Sequence, residues 1–212
     1  MGKMKNPSKP AEAKRREPPR AADLIVPTVY FHKTGPVNTL RTLEIAGERA
    51  DELGIRHILV ATTRGRTGAL GAERFRGKNV VVVTHAAGFA EPGRQELMPF
   101  YRKRIESAGA RILTCQHAFG GVGRAVRKKL GTYELEEIMA YTLRVFGQGT
   151  KVAIEIALMA ADAGLVSVNE PCLSIGGTGE GADTVLLLRP SNSQTFFDLL
   201  VMEILAKPRQ GC

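Results

Sequence analysis

The chain has no tryptophan, 6% aromatic residues and three cysteines in 212 positions. Each scarcity removes a class of protein. Cys115, Cys172 and Cys212 lie far apart, form no CxxC pair and have no histidine at ligand spacing. A disulfide framework and a zinc site are therefore not indicated, and no metal is expected; the pattern fits a reducing cytoplasm. No apolar run reaches the roughly 18 to 20 residues that a membrane-spanning helix needs, so a soluble chain is expected. The N-terminus lacks the apolar stretch of a signal peptide. No Gly-Lys-Ser/Thr follows a glycine-rich loop and no GxGxxG opens a helix, which argues against nucleoside triphosphate hydrolysis and a Rossmann dinucleotide site.

Acidic charge is the scarcer sign, with 21 Asp and Glu against 30 Lys and Arg, for a net +9. Much of the excess is local. Lys3, Lys5, Lys9, Lys14, Arg15, Arg16 and Arg20 against Glu12 and Glu17 place +5 in the first twenty residues. This mixture of Pro, Lys, Arg and Glu buries too little apolar surface to offset the entropy of ordering, so residues 1–22 are expected to be a disordered basic arm. Nucleic acid is a candidate partner through that arm, and the rest of the chain carries no nucleic-acid motif. At this length, residues 23–212 suffice for one domain with one core.

From about Leu24 apolar runs alternate with helical periods, the signature of βαβ units and a largely parallel sheet. Ile58–Ala61, Val80–Val83, Arg111–Thr114, Cys172–Ile175 and Thr184–Leu188 are short apolar or β-branched runs, as expected of strands covered on both faces. Leu40, Leu43, Ala46, Ala50 and Leu53 recur at helical spacing, with Asn38 or Thr39 as N-cap and Gly54 as stop. A second helix is expected from Pro99 to Ala108. Three more follow, Gly123–Lys129, Glu134–Phe146 and Thr150–Ala163, the last apolar nearly all round and so buried. The connection Gly176–Ala182, about seven residues, is too short for a crossover helix. The final strand pair is accordingly antiparallel, and the sheet mixed.

Open α/β sheets bind ligands beyond the carboxyl ends of their strands, where the strand order reverses. The first of these runs ends at Thr62. In the loop that follows, Thr62, Thr63 and Thr67 offer hydroxyls, Gly65 lets the backbone turn so that N–H groups converge, and a helix beginning near Arg66 contributes its positive end. Arg64 and Arg66 add charge. If the long helical return places Cys172–Ile175 beside Ile58–Ala61, Gly176, Gly177, Thr178 and Gly179 face that loop, with Asp183 available to accept hydrogen bonds from hydroxyls. The two loops then wall a pocket for a phosphate-bearing ligand. An ordinary capped turn and an ordinary glycine hairpin remain the plain alternatives.

The helix leading to Ile58–Ala61, the loop Thr62-Thr63-Arg64-Gly65-Arg66-Thr67 and the run Val80 to Thr84 resemble the C-terminal domain of pyruvate kinase, whose first strand ends in a Thr/Ser-x-x-Gly-x-Thr-Ala loop. Gly68 stands where that pattern has Ala. Ala160 to Val166, Cys172 to Gly176, the glycine loop and Asp183-Thr184-Val185 resemble that domain's last helix, strand and hairpin. Tyr30-Phe31, Gly35 with Asn38-Thr39, Thr84-His85 with Gly88-Phe89, and Phe146-Gly147-Gln148-Gly149 are similar to small stand-alone archaeal and bacterial proteins of this fold. The resemblance runs from about Val29 to Arg209. It implies a three-layer α/β/α domain with a mixed five-stranded sheet of order 3-2-1-4-5, the last strand antiparallel, and in some members bound flavin mononucleotide (FMN). In the kinase the two loops form an effector site. The catalytic barrel has no counterpart here, so kinase activity is not implied.

His85 and His117 directly follow the second and third runs, on the edge where the pocket is expected, and His32 is a candidate to join them. An imidazole there hydrogen-bonds a ligand or caps the loops, with a metal ligand or the base of an uncharacterised enzyme as the alternative. Thr84 belongs to the same edge. His57 opens a strand at the opposite edge and reads as structural. Phe89, Phe119 and Tyr30 either stack on a flavin ring or fill the core. Glu155, inside an apolar helix, faces solvent or a partner copy, or is buried either in an ion pair or as a functional acid. A homo-oligomer is compatible with the first two.

Overall fold

A computed structural model describes residues 23–209. The basic arm, with its nucleic-acid reading, and Cys212 lie outside the described residues. In chain order the elements are β1 (Val29–Phe31), α1 (Thr39–Glu52), β2 (His57–Ala61), α2 (Arg66–Arg74), β3 (Asn79–Val83), α3 (Pro99–Ser107) and β4 (Arg111–Leu113). Then come α4 (Val122–Leu130), α5 (Leu135–Arg144), α6 (Gln148–Asp162), β5 (Cys172–Gly176), β6 (Thr184–Arg189) and β7 (Leu200–Pro208). Two 3-10 turns, Pro36–Asn38 and Ser193–Asp198, precede α1 and β7.

The mixed sheet is larger than the five strands expected from the sequence, and the order 3-2-1-4-5 does not describe it. Seven strands run β1-β7-β6-β5-β2-β3-β4. The neighbours β2, β3, β4 and β5 are parallel, and β6 pairs antiparallel with β5. Beyond β6, however, β7 adds antiparallel and β1 adds parallel to β7, so β6 alone runs against the rest. The reason is an ion pair. Glu203 sits in the middle of β7, where an unpaired carboxylate is costly, and Arg49 of α1 meets it with Nε to Oε2 at 2.8 Å. Two register shifts between β6 and β7 further blur any alternating pattern in this segment.

Strand parity divides the core. Ile58, Val60, Val80, Val82, Leu173 and Ile175 pack with Leu43, Ala46 and Ala50 of α1, Ala69 and Ala72 of α2 and Ile105 of α3. Leu59, Val81, Val83, Leu186 and Leu188 face the other way onto Ala153, Ile156, Ala157 and Ala160 of α6. Alternate residues of each strand thus bury against opposite helical layers, each fully buried Leu or Ile contributing about 1.5–3 kcal/mol. Ser174 Oγ donates to the Ala153 carbonyl at 2.7 Å, fastening α6 to β5. Among the described residues no helix is long and apolar enough to cross a membrane.

Asn38 holds the N-cap position of α1, but its side chain donates to the Lys33 carbonyl at 2.7 Å instead of capping. Thr39, the other capping candidate, turns its hydroxyl to the glycine loop, where Oγ1 accepts the Ala182 N–H at 3.0 Å.

Candidate functional site

The carboxyl ends of β2, β3 and β5 open into a crevice of about 770 Å³. Thr62, Thr63, Arg64, Arg66 and Thr67 line one wall, Thr84, His85, Phe89 and His117 one end, and Gly177, Gly179 and Gly181 the facing wall. Of the residues expected there, Gly65, Gly176, Thr178 and Asp183 are not on the lining. Gly65, Gly176 and Asp183 have structural roles with a visible cause.

Gly65 is the N-cap of α2 with φ +107°, and a Cβ there would lie 2.5 Å from Tyr101 Cβ and 2.6 Å from Leu97 Cδ1. Only glycine accepts both the left-handed backbone and the contact. The turn is organised by Thr62, whose Oγ1 accepts the N–H groups of Gly65 at 3.1 Å and Gly68 at 3.3 Å. The first-turn N–H groups of Arg66 and Thr67 have no carbonyl one turn back in the helix. Together with the helix dipole and the two arginines, they give this wall a positive potential. Gly68, where alanine stands in the similar kinase loop, meets β3 closely, since a Cβ would lie 2.4 Å from Val82 Cγ1.

The glycine wall is built backbone against backbone. A Cβ on Gly176 would lie 2.3 Å from the Gly149 carbonyl oxygen, and one on Gly181 would lie 2.5 Å from Pro36 Cα. Asp183 is wholly buried and its oxygens are occupied: Oδ2 accepts the Gly35 N–H at 2.8 Å and Oδ1 accepts the Thr184 hydroxyl at 2.9 Å. This carboxylate holds the Gly35 turn against the loop instead of facing the crevice. The two walls also touch at the mouth, where Arg64 Nε lies 3.6 Å from Glu180 Oε1.

The floor comes from α6, with Val152, Glu155, Ile156 and Met159 on the lining. Glu155, at 3% exposure, is ion-paired with the buried Lys151 and accepts the Phe119 N–H at 3.0 Å. His117 Nδ1 lies 3.7 Å from Glu155 Oε2, and His117 Nε2 accepts the Ala86 N–H at 3.3 Å. With Nε2 accepting, the neutral ring carries its proton on Nδ1, toward Glu155. Burial alone would raise the Glu155 carboxyl, but the His117 imidazole and the Lys151 ammonium outweigh it and hold the group at about 2. Burial pulls Lys151 below the ordinary lysine value against the opposing charge of Glu155.

At the histidine end, His85 Nδ1 lies 2.8 Å from Glu96 Oε2, a carboxylate–imidazole pair on the crevice wall. Thr84 is buried and shares a 2.6 Å hydrogen bond with Thr114. Phe89 stacks on His117 with centroids 4.9 Å apart and meets His85 in a tilted contact at 4.0 Å, while the Arg124 guanidinium lies 4.6 Å from the centroid of the Phe89 ring. Phe119 is core, edge-on to Phe196, and Tyr30 and His32 are exposed and off the lining. His57 bonds Asn79 and Glu170 at the far edge. The Cys172 thiol is pushed up to about 12 by burial and so is no nucleophile. Among the described residues no three His, Cys, Asp or Glu gather as a metal site.

Sequence reasoning did not place the floor or Leu40, Met98, Tyr101 and Gln148 on the crevice. The signal was present in α6: a helix apolar nearly all round has a face left over for a cavity, and its one buried carboxylate, Glu155, marks where.

Fold and crevice together define a mixed α/β domain with an anion-suited, half-apolar cleft at its switch point. No protein-family model matches the chain. Two crystal structures of pyruvate kinase from Cryptosporidium parvum are similar to it at 13% identity, with TM-scores of 0.34 and 0.36 over 71% of this chain. The match takes in only 22% and 23% of those kinases, so this chain spans less than a quarter of their length.

Proposed function

We propose that the protein binds a small phosphorylated ligand carrying an apolar ring system, FMN foremost, with the phosphate on the Thr62–Thr67 wall and the ring over the α6 floor. The observation that carries this reading is the division of one crevice into a positive, hydroxyl-lined end and an apolar remainder. Its volume, 770 Å³, falls within the range of about 300–1,000 Å³ typical of small-molecule sites. Arg66 and the hydroxyls of Thr63 and Thr67 lie on the lining, and the α2 N-terminus adds its partial positive charge. Val152, Ile156, Met159 and Leu40 supply the apolar surface, and Phe89 with the histidines borders the ring edge.

Ligand-stripped protein titrated with FMN, and separately with riboflavin, tests the assignment through flavin fluorescence. FMN is expected to bind at least roughly tenfold tighter than riboflavin, and Arg66→Ala to erase most of that gap. Equal affinity for the two flavins, or no binding of FMN, nucleotides or sugar phosphates, sinks it. The Glu96–His85 pair favours a second reading, an enzyme in which His85, oriented through Nδ1, moves a proton on the bound ligand. In that case His85→Gln abolishes turnover of a phosphorylated substrate while leaving its binding intact; turnover that survives the change removes this reading.

A further inference from the structure

Among the described residues, the outward face of α5 carries only its own neighbours Tyr133 and Arg144. Its inner face is committed: Ala140 and Glu137 are buried, and Met139 and Leu143 pack with the core against α6. Yet Leu135, Ile138, Tyr141 and Val145, spaced to share the opposite face, are 68%, 53%, 53% and 81% exposed. A surface helix whose outer stripe is apolar marks an interaction site, because solvent-facing positions gain nothing from such residues.

The patch is also pre-ordered. Tyr133 meets Tyr141 edge-on at 5.7 Å, the Arg127 guanidinium lies 5.5 Å over the Tyr133 ring and Arg144 lies 4.9 Å over Tyr141. Arg127 is itself anchored to Glu137 at 2.9 Å. Tyrosine and arginine held in place lose little entropy on association and dominate the energetics of protein interfaces. Charge then selects the occupant. Glu134 stands at the N-terminal end of α5, and Arg144 at its C-terminal end. Lys207 is also at that second end, its Cε 3.9 Å from where a Cβ on Gly147 would sit.

We propose that this face pairs with the same face of a second copy of the chain, α5 antiparallel to α5 about a two-fold axis. In that arrangement the acidic end of each helix meets the basic end of the other, twice over, and the helix dipoles oppose. Ile138 and Val145 of the two copies interleave near the axis. The surface is self-complementary in charge, as an isologous contact requires.

Sedimentation equilibrium on the full chain tests this. The wild type is expected at twice the chain mass, and Ile138→Glu or Val145→Asp to raise the dimer dissociation constant by roughly a hundredfold or more. Because both positions face outward, the circular dichroism of each variant should match the wild type. Glu134→Lys is expected to weaken the dimer and Lys207→Glu, added to it, to restore it. A wild type that stays monomeric from micromolar to submillimolar concentration overturns the proposal. So does a dimer indifferent to both α5 substitutions, including one lost instead on deleting residues 1–22, which belongs to the arm. Failure of the charge reversal to rescue Glu134→Lys rules out the antiparallel pairing. Flavin titration is independent of all these outcomes.

Discussion

The two walls of the crevice reach the same place by opposite means. The Thr62–Gly68 wall is shaped by a side chain, the Thr62 hydroxyl gathering two backbone N–H groups, and leaves its exposed arginines on the crevice lining. The Gly176–Asp183 wall is shaped by backbone packing and by a buried carboxylate whose bonds are all internal. α1 clasps its exit on both sides, Thr39 Oγ1 taking the Ala182 N–H and Thr42 Oγ1 donating to the Ala182 carbonyl at 3.1 Å. A wall held by side-chain bonds keeps polar groups available to a ligand, whereas one held by close backbone contact contributes shape. Changes in the first should therefore act on binding, and changes in the second on stability.

The largest effect is expected beneath both walls. Glu155→Gln leaves the buried Lys151 ammonium without its counter-charge and should cost about 3–5 kcal/mol, seen as a lower urea midpoint. The same group sets an acid limit. Its folded value, about 2, lies below the ordinary 4.5, so the stability it contributes is present above pH 4.5 and is lost as pH falls toward 2. An acid titration of the unfolding free energy should lose part of its slope in that window in the Gln variant.

Gly177→Ala comes next. Its Cβ would lie 2.4 Å from the Gly181 carbonyl oxygen, and the displacement should cost about 2–3 kcal/mol in thermal unfolding. A variant that kept full stability but lost ligand would place the glycine wall in the binding machinery and break the comparison. Thr62→Ala removes the acceptor of two N–H groups at the head of α2. About 1–2 kcal/mol should be lost, with FMN affinity falling more steeply than stability. Arg64→Ala is expected to matter least. Its pairing with Glu180 is 3.6 Å long between side chains 69% and 62% exposed, so stability should change by under about 1 kcal/mol and affinity by a few-fold. A larger loss on calorimetry would mean that this pair closes the mouth.

The elements that were legible in the sequence are those whose partners are generic. Val80–Val83 reads as a strand whatever it packs on, and the helix from Pro99 ends at Ser107, one residue short of the expected Ala108. The turn after Thr62 was equally plain as a turn, since threonine and glycine at a strand end are turn chemistry. β7 was not legible. A run holding Glu203, Lys207 and Pro208 becomes a strand paired on both sides, with Arg49 arriving from 154 residues away to pair the carboxylate. Asp183 misled for the same reason: its partner, the Gly35 N–H, lies 148 residues upstream, and nothing local distinguishes a carboxylate awaiting a ligand from one already satisfied.

By itself, then, the sequence determined the alternation of apolar strand and helix, the positive turn at Thr62 and the location of the histidines on one sheet edge. Those features follow from periodicity and local backbone chemistry. The tertiary structure alone decided the seven-stranded sheet, the α6 floor beneath the crevice and the engagement of Glu155 with Lys151 and His117. Each depends on which distant charge or carbonyl meets which buried group, and burial makes that pairing obligatory without writing it into any single segment.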